Sequence, residues 1–438
     1  MRPSLLAVVR AGLRPAGPGR PGIDPTLPLC GKSLLRWGVE KAAGLGPGAI
    51  CAVGAPGFPP EESIDDLPAV RFLPGDGPGG ALEDFLSFGT RRAQRRNTDL
   101  LILDLEAALV RGATLRRLIA RHRSEGNAVT ALAGSSPRDA RAADGRLAGI
   151  RDWPALVIRL EDFARAWGRQ TRKGGLSGRL ATTIEALASQ PEGCAAMGLP
   201  EKDRDLTVRS AEDASRIRLR LNEEKRRRLE ARGIILLDPS ATWIDWDVRI
   251  GAGTIICPAV VIEGRSIIGK DCRIHPFVNL IDARLGNRVG ILSSTVIEGG
   301  IVGSGAQVGP YTHFRPGTVI RAGARVGNFV EMKNTVFGRR SLAGHLSYLG
   351  DATVGDDVNI GAGTITCNFD RFKKNPTSIG SGAFIGSGAK LVAPVKVGRN
   401  AVVGAGSTIT KDVSAWALAV ARSRQKEFKN WAKRKPGK

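Results

Sequence analysis

Residues 302–332 read VGSGAQVGPYTHFRPGTVIRAGARVGNFVEM, and apolar side chains recur in them every six positions: Val302, Val308, Phe314, Ile320, Val326 and Met332. Neither an amphipathic helix nor an alternating strand repeats in that way. A triangular coil does. Each flat face takes six residues, and the apolar one points inward. The small residue that often follows it, as in Val308-Gly309 and Val326-Gly327, permits the tight corner. A second ladder keeps the same step through Ile379, Ile385, Leu391, Val397, Val403 and Ile409. Residues 234–416 are therefore expected to form a parallel β-helix of hexapeptide repeats, left-handed as this repeat class is, with each coil buried against its neighbours.

The ladder has one gap. Residues 367–378 contain no aliphatic side chain, so the coil is expected to eject a loop there. Loops on a rigid scaffold are where binding residues concentrate.

Upstream the texture differs. Over residues 1–205, Leu5–Val9, Ala49–Val53, Leu100–Leu103 and Ala128–Leu132 read as short buried strands. Ser33–Ala43, Ala81–Ser87 and Thr114–Arg123 carry helical patterns between them. Such alternation implies a doubly wound, mostly parallel α/β sheet, Rossmann-like in class. Residues 206–233 read as a connecting helix. Ser210 and Asp213 give it a capping-box-like start, and Gly233 a stop. Its run Glu223-Glu224-Lys225-Arg226-Arg227-Arg228 reads as a solvated face. Residues 417–438 form a basic tail.

The chain has 438 residues, too many for one core. Its composition, 42% apolar and 24% charged, is that of a globular protein. No apolar run reaches the length of a membrane span, and Arg10 with several prolines spoils the N-terminus as a signal peptide, so a cytoplasmic protein is expected. The six cysteines form no C-x-x-C pair, which favours reduced thiols over zinc or disulfides. A net charge of +23 favours anionic partners. Phosphorylated sugars and coenzyme A qualify, and so does nucleic acid, although the charge is spread along the whole chain.

Among the four histidines, His122, His275, His313 and His345, the last has the best setting for a general base. Arg315, Lys333, Tyr348, Asn359 and Asn368 lie on nearby coils, and cations beside polar groups suit a sugar phosphate. A β-helix carbonic anhydrase is discarded, because no two histidines have its H-x-x-x-x-H spacing.

Longer runs are more specific. They include Arg315-Pro316-Gly317-Thr318, Val326-Gly327-Asn328-Phe329-Val330-Glu331-Met332-Lys333, Gly344-His345-Leu346-Ser347-Tyr348-Leu349-Gly350 and Asn359-Ile360-Gly361-Ala362-Gly363-Thr364-Ile365-Thr366-Cys367-Asn368. In this order they resemble the acetyltransferase half of the GlmU family, bifunctional N-acetylglucosamine-1-phosphate uridyltransferases and glucosamine-1-phosphate acetyltransferases of UDP-N-acetylglucosamine synthesis. The resemblance implies transfer of the acetyl group of acetyl-CoA to glucosamine-1-phosphate by a homotrimer, with no membrane or nucleic acid involved. It makes His345 the general base. Arg315, Lys333, Tyr348, Asn359 and Lys374 become sugar-phosphate ligands. Ala362, Asn368, Phe369, Ser387, Ala405 and Arg422 become the acetyl-CoA site. Two departures stand out: Phe369 where the family usually has Tyr, and Pro376 where it often has Lys.

The N-terminal half resembles the family's uridyltransferase in outline, through Leu29-Cys30-Gly31-Lys32-Ser33, but not in its chemical motifs. The Gly-rich phosphate loop is replaced by Val8-Val9-Arg10-Ala11-Gly12-Leu13-Arg14-Pro15, where Leu13 and Pro15 suit a phosphate cradle poorly. Asp24 stands at the signature lysine, and Gly77-Pro78-Gly79-Gly80-Ala81 at the nucleobase motif. Asp104 and Glu106 are the candidate metal carboxylates, and neither is in register. The expectation is an acetyltransferase whose uridyltransferase activity, and with it any need for Mg²⁺, has been lost. The alternatives are a fully bifunctional enzyme and a non-catalytic β-helix binding protein.

Overall fold

The computed structural model describes residues 4–10, 28–53, 70–73, 82, 85, 98–133, 153–169, 176–190 and 193–433. The chain divides into two compact units, Met1–Leu221 and Asn222–Lys438.

In the first unit seven strands form one sheet: β1 (Ser4–Arg10), β2 (Ala49–Val53), β3 (Val70–Leu73), β4 (Thr98–Asp104), β5 (Val129–Ala133), β6 (Ala155–Arg159) and β7 (Cys194–Gly198). Their order is β3-β2-β1-β4-β6-β5-β7. All pairs are parallel except those of β6, which runs against β4 and β5. The mostly parallel, doubly wound sheet is thus present, with three strands beyond those legible in the sequence. From β1 the chain steps through helix α1 (Leu34–Ala43) to β2 on one side, while β4 lies on the other. Open α/β sheets take their ligands at the carboxyl ends of the strands where the order reverses, here β1 and β4. Ser33 caps α1 by accepting from the Arg36 N–H at 3.1 Å. Leu82 and Phe85 are helical and buried, and the rest of the 81–87 helix lies outside the described residues.

The second unit is the β-helix. Its short strands stack into three parallel sheets of eleven, ten and nine. The first sheet runs from Ile235–Leu236 to Leu418–Ala419, the second from Trp243–Ile244 to Thr408–Ile409, and the third from Arg249–Ile250 to Val395–Val397. All twelve members of the two period-six ladders are buried in one continuous core. One rung pairs with the next in strict register, as Val308↔Val326 and Val326↔Ala343 do.

The corner glycines serve two purposes. Gly309 has a left-handed φ of 99°, as a tight corner requires. Gly327 does not; a Cβ there would run into the Gly344 carbonyl of the next coil, so rung-to-rung contact demands the glycine. Two residues after these positions Tyr311, Phe329 and Leu346 also take left-handed φ, at 52°, 56° and 49°.

Helix α2 (Ala211–Glu230) begins at Ser210, whose hydroxyl accepts from the Asp213 N–H at 3.1 Å. Its charged run is only partly solvated. Glu223 with Arg227 and Glu224 with Arg228 form exposed pairs. On the other side, Asn222 Nδ2 donates to the Ile244 carbonyl at 2.9 Å, and Lys225 Nζ to those of Trp246 and Val248 at 2.7 and 2.6 Å. Leu229 joins the β-helix core. The open end of a stacked coil needs such a cover, which explains why a helix read as solvated holds its cations against the first coils.

No helix among the described residues is long and apolar enough to cross a membrane. The six cysteines are free thiols.

Candidate active site on the β-helix

The edge between the first and second sheets gathers several of the residues singled out above. His345 follows Ala343 by two positions. Ala362, Ser387 and Ala405 follow Ile360, Ile385 and Val403 in the same way, and those four core residues pair rung upon rung. Rungs are about 4.8 Å apart, so the four residues form a straight column. The next position along each coil is Leu346, Gly363, Gly388 and Gly406, all at positive φ. A Cβ on Gly363 would meet only Gly388, one on Gly388 only Gly406, and one on Gly406 only the Arg422 side chain, at 4.0 Å. The corner above His345 therefore carries no side chain at its left-handed position for three rungs, has only the small Ala362, Ser387 and Ala405 beside it, and ends on a cation.

His345 itself is exposed. Its Nδ1 contacts Asn328 Oδ1 on the coil below, in register with it. An amide oxygen only accepts, so this contact requires Nδ1–H and leaves Nε2 as the basic nitrogen. Asn328 was not among the residues singled out. The period of three hexapeptides, 18 residues, would have placed Gly327 beneath His345; this coil has 17, which brings Asn328 there.

The other histidines have different surroundings. His122 is buried between Thr130 Oγ1 at 3.0 Å and Asp99 Oδ1 at 3.5 Å. His313 lies 3.7 Å from Glu298. Burial, then Arg273, lowers the pKa of His275.

The cations occupy the outer surface of the second sheet. The Arg315 N–H bonds to the Met332 carbonyl, which sets Arg315 one rung below Lys333. Arg315 Nη1 lies 3.3 Å from Glu331 Oε1, a further neighbour the sequence reading passed over. Lys333 has no carboxylate within ion-pair distance among the described residues. Above Lys333 comes Gly350. A Cβ there would strike the Tyr348 hydroxyl and Asn368 Nδ2, so the glycine is what lets those groups meet over the strand. Asn359 stands apart, on the first sheet beside Leu342.

The expected acetyl-CoA set is split within one chain. Ala362, Ser387, Ala405 and Arg422 share the bare corner. Asn368 and Phe369 begin the ejected segment, which is shorter than the expected 367–378, because the strands Ile365–Cys367 and Thr377–Ile379 claim Cys367, Thr377 and Ser378. Lys374 lies in that segment too, its Nζ 5.0 Å from the centre of the Phe369 ring.

In the first unit, Arg10 and Asp104 pair across β1 and β4 at the carboxyl ends of the strands. Arg10 Nη2 and Nε lie 2.6 and 3.1 Å from Asp104 Oδ2, and both side chains are buried. Asp104 thus faces a resident guanidinium. Residues 11–15, Asp24 and 77–81 lie outside the described residues, as does the Glu106 side chain. No group of three or more His, Cys, Asp or Glu side chains suited to a metal occurs among the described residues.

Comparison with known proteins gives the following likenesses. Residues 376–411 match the bacterial transferase hexapeptide (six repeats) family model. A protein of Pelobacter propionicus named bifunctional protein GlmU is 34% identical over 443 residues, covering 92% of this chain and 93% of that one. The protein of the same name from Fervidobacterium nodosum is 36% identical, covering 93% and 92%. That of Thermosipho africanus reaches 49% over 221 residues, or 50% of this chain and 48% of its own.

Proposed function

The chain belongs to the GlmU family, and from that premise we propose that its second unit transfers the acetyl group of acetyl-CoA to the amine of glucosamine-1-phosphate. The observation that carries this reading is the column at the sheet edge: His345 over Asn328, then a glycine-lined strip ending on Arg422. A linear thioester arm fits a strip without side chains, and its phosphates suit the cation at the far end.

The chemistry follows from the tautomer. The sugar ammonium gives a proton to His345 Nε2. The freed nitrogen attacks the thioester carbonyl and forms the C–N bond. The tetrahedral intermediate collapses, the C–S bond breaks with its electron pair going to sulfur, and the surplus proton on the new amide nitrogen passes to that thiolate, giving the amide and free thiol. A positioned base contributes roughly 10²–10⁴-fold to such a step. Arg315 and Lys333 supply charge for the sugar phosphate. The test is thiol release from acetyl-CoA, expected to depend on added glucosamine-1-phosphate. Equal release without the sugar would overturn the reading.

The site is incomplete on one prism. His345 sits on a convex edge, Asn359 on one face and Arg315 and Lys333 on the other, and a convex edge cannot enclose two substrates. A homotrimer, each of whose prisms lends a surface to its neighbour, completes the enclosure. Sedimentation is expected to give a trimer, and a fully active monomer would contradict that.

For the first unit, the relatives' name and their match along nearly the whole chain support a second, uridylyl-transferring activity better than they support its loss. One observation favours the other reading. The divalent cation that such a transfer employs needs an available carboxylate, and Arg10 occupies one oxygen of Asp104 with two hydrogen bonds. One assay separates the two: pyrophosphate release from UTP, Mg²⁺ and N-acetylglucosamine-1-phosphate. Release as fast as acetyl transfer upholds the bifunctional reading. Release about a thousandfold slower or less, the size of effect electrostatic groups carry in such sites, upholds the loss.

A further inference from the structure

The ejected segment is built around one carboxylate. Asp370 Oδ1 accepts from the backbone N–H groups of Phe372 and Lys373 at 2.9 and 2.8 Å. Asp370 Oδ2 accepts from Asn375 Nδ2 at 2.8 Å. The turn closes below on the Asn375 N–H, which donates to the Asn368 carbonyl at 2.7 Å. Asn368 and Asn375 are buried, whereas Asp370, Lys374 and Phe369 are exposed. Phe369 and Lys374 form an antiparallel bridge across the turn, which keeps the ammonium beside the ring face.

An exposed lysine has many rotamers, and binding an anion with it forfeits their entropy. A turn that holds the lysine's backbone fixed and offers its ammonium an aromatic face removes part of that loss beforehand. The ring face is all this contact uses, so Phe369 serves it without the hydroxyl its relatives usually carry. The same three hydrogen bonds, led by the one from Lys373, hold the Asp370 carboxyl down at about 2. The carboxylate therefore stays charged, and the turn stays built, at any pH where acetyl transfer is measured.

We propose that Asp370 is the positioning residue of the sugar-binding loop: it folds the 370–375 turn that presents Lys374, over Phe369, to the phosphate of the sugar. This rests on the reading of Lys374 as a phosphate ligand in acetyl transfer.

Steady-state kinetics on the full chain test it. Lys374→Ala is expected to raise KM for glucosamine-1-phosphate about tenfold, the scale of one charge-assisted contact. Asp370→Ala is expected to raise it nearly as far, with kcat and KM for acetyl-CoA moving less. The double variant should be no worse than Lys374→Ala alone, because one residue acts through the other. The swap Asp370→Asn with Asn375→Asp keeps an acceptor for the two N–H groups and reverses the Asn375 bond, and should return KM toward wild type. That swap also decides the matter if Asp370→Ala fails to fold. An unchanged KM in Asp370→Ala, or effects that multiply in the double variant, overturns the inference while acetyl transfer stands. A wild type without acetyl transfer, or Lys374→Ala with unchanged KM, removes the reading beneath it and the inference together.

Discussion

His345→Ala is expected to lose acetyl transfer by roughly 10²–10⁴-fold in kcat, with no loss of fold. Both halves of that expectation come from position. The side chain lies on an exposed edge, outside the core, and its ring contact is with one amide on the coil below. Removing it opens no cavity. The backbone of its strand stays paired with both neighbouring coils. What disappears is the basic nitrogen beside the bare corner. Thiol release measures the first half and thermal unfolding the second. A variant within twofold of wild type would remove His345 from the chemistry. A variant that has lost its fold would show that the edge is structural.

Phe314→Ala is expected to do the opposite, costing stability first. Its ring is fully buried on the axis of the prism, with Ile297 on the coil below and Met332 on the coil above. A Phe→Ala change in a core typically costs about 3–5 kcal/mol, the lost transfer energy plus the cavity left behind. The β-helix has few ways to close that cavity. Each rung is locked by backbone hydrogen bonds to the next, so a collapse at one coil strains two others. The unfolding temperature of the β-helix unit is expected to fall by roughly 10 °C. A fall under about 2 °C, smaller than 1 kcal/mol produces at this size, would mean that the ladder is not a packed core.

The β-helix was legible because its rule is simple. An inward side chain recurs every sixth residue over long runs, shortening to a step of five in the 17-residue coils, as from Met332 to Phe337, and it survives where Phe314 or Met332 replaces an aliphatic. The loop was legible for the complementary reason: twelve residues without an aliphatic cannot line a core. The first unit was legible only where its strands are richly apolar. Strand β7, Cys-Ala-Ala-Met-Gly, carries no β-branched residue and gives no strand signal. It exists because β5 and the packing around it provide the template.

The candidate site divides in the same way. His345, Arg315, Lys333 and Ala362 lie in contiguous runs that a family resemblance reaches. Pairings between coils carry less signal. Asn328 lies beneath His345 because this coil has 17 residues in place of 18, a shortening that the period-six ladder does not reveal. The Arg10–Asp104 pair joins residues 94 apart and was hidden behind motifs that looked merely absent. The charged run of α2 misled for a related reason. Sequence shows which residues are ionic, and burial by a neighbouring coil decides which of them stay in water.

The most direct test of the account is the product made by the purified wild-type protein from acetyl-CoA and glucosamine-1-phosphate, followed by proton NMR alongside thiol release. The expected product carries an acetamide methyl on the sugar nitrogen, formed in equal amount with free coenzyme A. Thiol release that yields only acetate, or no turnover at all, would contradict it.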